Sequence, residues 1–226
     1  LLINYIMINY IMINKIIIFI LIVFLIKYFF YQTKLLDNTF YDYKEIYPEL
    51  NQLKMNNIGI KQEVINIIND DWKIWPEKNL YKKNNGWKVL PFYGFGHWIK
   101  KNCDKCPIIF NIIKNIPGLK TASLSRLAPG TKIEPHYGWA KLSNYVLRCQ
   151  YGIICGEKCI LGCEDDVVVM TENKIIVFDD SKLHYAQNNG SKDRIILILD
   201  IDRPKNVKIG TSTVEDTAEL NNFIDS

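Results

Sequence analysis

The chain has 226 residues, of which 48% are apolar and 12% aromatic, enough for one packed domain with an appended segment and unlike a disordered chain. Its net charge is only +4, and its lysines are scattered rather than run together. There is therefore no electrostatic footprint for nucleic acid.

The first thirty residues stand apart from the rest. They open on a tandem INYIM repeat; Lys15 then precedes an unbroken apolar run from Ile16 to Ile26, closed by Lys27. That run alone is too short to cross a bilayer, but extension to Tyr5–Ile26 or Ile16–Tyr31 approaches the roughly 20 residues needed. Residues 1–31 are read as a hydrophobic N-terminal membrane anchor, single-pass, with the folded domain C-terminal to it. A cleaved signal peptide is the alternative, but no small-x-small cleavage site supports it. Lys15, Lys27 and Lys34 lie on both sides of the run, so the side of the membrane stays open.

Residues 32–59 read as a polar, Tyr-rich stalk. The folded domain is expected over 60–206, with its core at 120–204, followed by a polar C-terminal tail at 207–226. Val64, Ile65, Ile67 and Ile68 have helical spacing and predict a helix over Ile60–Asp70. Gly86–Phe95 reads as a strand with a Pro break. Pro107–Ile116 reads as a short helix stopped by Pro117-Gly118. From Lys120 the pattern changes to short β-rich runs: Thr121–Leu127, Thr131–His136, Tyr145–Cys155, Lys158–Cys163, Val167–Thr171, Lys174–Phe178 and Arg194–Asp202. Turn residues separate them. Many short strands in succession argue for a sandwich or barrel, so the fold class is mainly β with flanking N-terminal helices.

The six cysteines are Cys103, Cys106, Cys149, Cys155, Cys159 and Cys163. They permit disulfides in a lumenal domain. Cys159 and Cys163, if they share a strand, sit roughly 13 Å apart, too far for a mutual bridge. Small buried hydrophobe is the preferred role for most of them.

The histidines are His97, His136 and His184. His136 ends a predicted strand and His184 follows one. Arg194 opens the last long strand, which is apolar on both faces, so an arginine there needs an anion, and a carboxylate held in a fork is the natural partner. Two histidines and one carboxylate with open positions form the usual facial set of non-haem iron oxygenases. The carboxylate normally lies two residues after the first histidine; here that residue is Gly138.

Several motifs then combine: Ser125-x4-Gly130-Thr131, Pro135-His136-x-Gly138, Leu147-Arg148, Phe178-Asp179-Asp180-Ser181-x-x-His184, Arg194, and Asp200-x-x-x-Pro204. Together, with a weaker region at Gly86-Trp87-Lys88, they resemble the catalytic core of the aspartyl/asparaginyl β-hydroxylase family, in which the glycine at the acid position is itself typical. The resemblance implies a double-stranded β-helix (a cupin-like jelly roll) and an Fe(II)- and 2-oxoglutarate-dependent dioxygenase that uses O2. It implies hydroxylation of the β-carbon of Asp or Asn side chains in a protein substrate, with a lipid acyl chain, or a non-catalytic binding module, as the alternatives. It implies iron ligation by His136 and His184, and cosubstrate binding by Ser125, Arg148 and Arg194, with Arg194 on the distal carboxylate. Gln150 stands where the family usually has a histidine near the cosubstrate, and it carries no charge. Asp180 or Asp179 is expected to act from behind, on a water at the metal or on a ligand histidine. Glu134 shares strand parity with His136 and is a further candidate ligand. His97 is read as structural. Trp139 lines the substrate mouth or simply packs.

Overall fold

The computed structural model describes residues 2–32, 35–94 and 96–219; Leu1, residues 33 and 34, Phe95 and residues 220–226 lie outside the described residues. The chain divides into two compact units. One comprises the residues up to Asp37 with Lys205–Lys208, the other Asn38–Pro204 with the residues from Ile209 onward.

The first unit is helix α1 (Leu2–Gln32) with a short parallel bridge between Leu36 and Val207. Its large apolar side chains from Met12 to Ile26 are exposed. Among the described residues no helix is long and apolar enough to cross a membrane. The side chains of residues 1–11 and 28–34, to which the anchor expected at 1–31 extends, lie outside the described residues.

The second unit holds the site. Its strands are β1 (Phe40–Tyr41), β2 (Lys73–Ile74), β3 (Trp87–Gly94), β4 (His97–Trp98), β5 (Leu119–Leu127), β6 (Lys132–His136), β7 (Val146–Ile154), β8 (Cys159–Cys163), β9 (Asp166–Val169), β10 (Ile175–Phe178), β11 (His184–Asn188) and β12 (Arg194–Asp202). They form two antiparallel sheets. The larger runs β1-β10-β7-β12-β5-β3-β2, with β4 on β3, and the smaller runs β6-β11-β8-β9. From β5 onward the chain passes back and forth between the two sheets. Residues of both meet in one apolar interior, among them Trp87, Leu127, Phe178 and Ile196 from the larger and Ile133, Leu161, Cys163 and Ala186 from the smaller.

Helices pack against strands of the larger sheet. After α2 (Tyr43–Ile46) and α3 (Asn51–Met55) come α4 (Asn57–Asn66), α5 (Lys100–Lys105), α6 (Pro107–Ile113) and α7 (Ala140–Ser143). Helix α4 packs on β7 and on α6, burying Ile60, Val64, Ile109 and Ile113. This cover explains why β12 is apolar on both faces: it pairs with β5 on one side and β7 on the other and lies between interior and helices. The seven-residue α6 begins at Pro107, and its exposed amides are taken by Glu63, whose carboxylate accepts from Ile108 N (2.6 Å) and Ile109 N (3.0 Å).

The predicted β-runs recur as β5 to β10 and β12, and the two predicted helices as the shorter α4 and α6. Strand β11 has the sequence HYAQN and begins at His184, a residue expected just beyond a strand. Its polarity hid it from the hydrophobic pattern. The segment expected as a stalk is folded from Asn38 onward: Tyr43, Tyr47, Leu50 and Leu53 are buried. Tyr47 Oη donates to Asp202 O at 2.7 Å, so the tyrosines that suggested a polar linker are core residues with a hydrogen-bonding tip. All six cysteines are free thiols, and five are buried.

Candidate active site

Strand β11 pairs with β6, which places His184 directly opposite His136, and a register shift follows between His184 and Ala186. The ring centroids are 4.2 Å apart. Each ring is oriented by a carbonyl two residues back along its own chain. His136 Nδ1 donates to Glu134 O at 2.8 Å and His184 Nδ1 to Lys182 O at 2.9 Å. With Nδ1 protonated in both, each Nε2 keeps its lone pair for a Lewis acid. Burial pushes both imidazoles down to about 4, and for His136 the neighbouring His184 acts in the same direction. Both are therefore neutral near pH 7, the form that ligates a metal.

The position vacated by the missing acid at Gly138 is filled from across the site. A Cβ on Gly138 would fall 2.1 Å from Asp180 Oδ2, 2.8 Å from Asp180 O and 2.8 Å from Ser143 Cβ. Only glycine leaves room for Asp180. Asp180 Oδ1 lies 3.3 Å from His184 Nε2 and 2.6 Å from Arg148 Nη1, yet it accepts no well-formed hydrogen bond. Burial raises its carboxyl to about 6, with Arg148 pulling the other way. A carboxylate facing an imidazole lone pair at this distance is repulsive unless a cation or a proton lies between them, so the residues fit a metal here. Among the described residues no group of three or more His, Cys, Asp or Glu side chains could hold one. Two imidazoles would therefore leave open positions for non-protein ligands. Glu134 turns away, toward Lys132 (3.4 Å) and Lys82 (4.0 Å).

Arg148 is held by protein carboxylates. Its Nε and Nη2 fork Asp200 at 2.7 and 3.0 Å, and Thr121 Oγ1 donates to the same carboxylate at 2.6 Å. Burial works against its charge, but Asp180 and Asp200 outweigh it and raise the guanidinium. Arg148, expected on the cosubstrate, thus links Asp200 to the Asp180 carboxylate beside His184. The neighbouring Asp179 faces elsewhere, accepting both Arg203 Nη groups at 2.7 and 2.8 Å and two bonds from Ser181.

Arg194 contrasts with Arg148. It is 1% exposed, and among the described residues its side chain makes one hydrogen bond, Nη2 donating to Gln150 Oε1 at 2.7 Å, while its Nε has no acceptor. Burial lowers its pKa; Cys155 and Cys159 act the other way, and among the described residues no carboxylate does. A buried guanidinium in this condition is costly and calls for an anion. Ser125 is equally buried and accepts from Trp87 Nε1 at 3.0 Å, leaving its own proton to donate. Ser125 and Arg194 lie on the adjacent strands β5 and β12, where Ser125 pairs with Ile196. Sequence reasoning singled out the Gly86-Trp87-Lys88 region but not Trp87 as the partner of Ser125, and it missed Thr121, which carries no local signal beyond strand propensity. His97 is exposed on β4, away from these groups in the pairing order.

A profile of the Aspartyl/Asparaginyl beta-hydroxylase family matches residues 54–204, more than half of the chain, and the chain belongs to that family. It is 34% identical over 121 residues to the ornithine lipid ester-linked acyl 2-hydroxylase of Rhizobium tropici, covering 52% of this chain and 42% of that protein. It is 30% identical over 129 residues to aspartate beta-hydroxylase domain-containing protein 2 of Mus musculus, covering 52% and 36%. To the human aspartyl/asparaginyl beta-hydroxylase it is 26% identical over 136 residues, covering 58% and 18%. The match thus spans less than half the length of these relatives. Among solved structures, a prolyl hydroxylase from Trichoplax adhaerens, in complex with a hypoxia inducible factor peptide fragment, is similar at a TM-score of 0.49 and 14% identity, covering 70% of this chain and 88% of its own.

Proposed function

We propose that this chain is an Fe(II)- and 2-oxoglutarate-dependent hydroxylase of an unactivated C–H bond, built on a double-stranded β-helix. The observation that carries the reading is Arg194: a buried guanidinium without a carboxylate, in a domain that also presents two neutral imidazoles with free Nε2 atoms. 2-Oxoglutarate supplies what both lack, a distal carboxylate for Arg194 and Ser125 and a keto-acid end for a metal on His136 and His184.

Bound iron, with 2-oxoglutarate and O2, supplies the oxidising power, and the cosubstrate is converted to succinate and CO2 as the C–H bond becomes C–OH. The protein's part is orientation. The Glu134 and Lys182 carbonyls hold the two rings in one tautomer. Arg148, itself held by Asp200, fixes Asp180 beside His184 in the space that Gly138 leaves. Gln150 braces Arg194 for the distal carboxylate in place of the family's usual histidine, so it steers the guanidinium without adding charge.

The substrate side chain is Asp or Asn in a protein, hydroxylated at the β-carbon. A lipid acyl chain is the second reading, favoured by the similarity to the Rhizobium tropici protein. The exposed apolar surface of α1 is assigned to membrane attachment, which co-flotation of the full chain with liposomes tests: protein that stays with the soluble fraction removes the assignment.

The decisive experiment is succinate release from 2-oxoglutarate with Fe(II) and ascorbate, with His136→Ala and His184→Ala alongside. Turnover that requires both histidines is the expected result. No turnover with candidate peptides and lipids, together with no iron-dependent binding of 2-oxoglutarate, would leave a non-catalytic binding module.

A further inference from the structure

The segment from Ile209 to Thr217, expected as part of a polar tail, is hydrogen-bonded to the loop that follows His136. Ser212 N donates to Asn144 Oδ1 at 2.8 Å, Asn144 Nδ2 donates to Ser212 O at 3.0 Å, and Ala140 N donates to Val214 O at 2.7 Å. Ser212 Oγ donates to the Gly138 carbonyl. Gly210 also closes on the loop before His184: a Cβ there would fall 2.4 Å from Ser181 Oγ and 2.8 Å from Asn144 Cα. One strap therefore touches the turns that carry both histidines.

The strap ends on Glu77. This carboxylate is 6% exposed and accepts from three neutral donors: Thr217 Oγ1 (3.2 Å) and Trp139 Nε1 (3.2 Å) on Oε1, and Trp75 Nε1 (3.3 Å) on Oε2. Trp139 directly follows Gly138. Its indole stacks on Trp75 with centroids 5.8 Å apart and planes 17° apart, and Trp75 stacks on Trp87 at 4.7 Å and 23°. Trp87 in turn donates to Ser125 Oγ. A buried carboxylate held by weak neutral donors, as Glu77 is among the described residues, is a poor stabilising device, because its desolvation is expensive. What it accomplishes here is geometric: it fixes two indole edges at once, in a row that runs from the Gly138 turn to the Ser125 hydroxyl.

We infer that Glu77 is a positioning residue: with the strap at 209–217 it fastens the Trp139–Trp75–Trp87 row and thereby sets the Ser125 hydroxyl for 2-oxoglutarate. This rests on the proposed cosubstrate. The indoles, however, give a readout independent of it, since stacked tryptophans couple in the near-ultraviolet circular dichroism of the metal-free protein.

The test uses the full chain with Glu77→Ala, Glu77→Gln and Thr217→Val, recording near-ultraviolet dichroism, melting temperature and the succinate-release KM for 2-oxoglutarate. Glu77→Ala is expected to lose the indole signal and to raise KM about tenfold, the size of one lost charge-assisted hydrogen bond. Glu77→Gln keeps an acceptor oxygen and is expected to recover part of both. Thr217→Val, the milder variant should Glu77→Ala not fold, is expected to raise KM about threefold, as for a neutral hydrogen bond. A lower melting temperature with KM and dichroism unchanged makes Glu77 an ordinary packing residue and overturns the inference. Absence of succinate release from the wild-type chain overturns the proposed function instead, and the dichroism alone then decides whether Glu77 fastens the indoles.

Discussion

Placing an acid two residues after His136, as Gly138→Asp, should weaken this protein rather than improve metal binding. The added Cβ would lie 2.1 Å from Asp180 Oδ2, 2.8 Å from the Asp180 carbonyl and 2.8 Å from Ser143 Cβ. Asp180 has nowhere to retreat, because Arg148 Nη1 sits 2.6 Å from its carboxylate and its carbonyl accepts from Gly138 N at 2.9 Å. Overpacking at such a site costs about 1–3 kcal/mol. A second carboxylate against Asp180 adds like-charge repulsion, for a total of about 2–4 kcal/mol. Gly138→Ala isolates the steric part. Combining it with Asp180→Ala removes the worst contact and should recover about 1 kcal/mol relative to additivity. Urea unfolding of the metal-free variants reads these values, with Fe(II) titration alongside. An unchanged midpoint and tighter iron binding in Gly138→Asp would refute the account of why glycine is needed.

Three further outcomes follow from the same geometry. Arg194→Met removes a buried cation that has no carboxylate; without cosubstrate it should be neutral or stabilising by up to about 2 kcal/mol, while calorimetry detects no 2-oxoglutarate binding, and strong destabilisation would contradict this. Glu63→Ala strips the acceptor from the first amides of α6 and should cost about 1–3 kcal/mol in urea unfolding; an unchanged midpoint would show that solvent replaces the cap. The metal-free protein should lose stability as pH falls from 6.5 to 4. The two folded imidazoles stay neutral to about 4, whereas those of the unfolded chain take up protons near 6.5. Asp180, raised to about 6, holds its proton longer in the folded state and opposes the trend. Two histidines outweigh one carboxyl, leaving a net slope of about 1.4 kcal/mol per pH unit, or one proton, between 4 and 6. A flat profile across that range would show that the burial of the rings is not maintained in solution.

Much of the β-rich half was legible because its signals are local. The runs that became β5, β7, β10 and β12 are rich in apolar residues at strand spacing, and side-chain period and turn residues act over a few positions. Arg194 at the start of an apolar strand announced an interior cation in need of an anion, and it is one. Strand β11 was not legible, since HYAQN is held in a sheet by pairing with β6 and β8 rather than by its own composition. Nor were the buried tyrosines near Asn38, whose partners lie far along the chain.

The sequence by itself singled out His136, His184, Ser125 and Arg194 as the candidates for the proposed chemistry and gave most of the strands around them. The tertiary structure decided what each is for. Gly138 is glycine because Asp180, from a distant turn, occupies the space of its side chain. Arg148 serves Asp200, fifty-two residues on, instead of standing free for a ligand. Glu77 meets Thr217 across a separation of one hundred and forty residues. Strand period and turn chemistry are written in short windows. The partner of a buried charge is set by which strands pair, in which register, and by what must then be neutralised in an interior that excludes water.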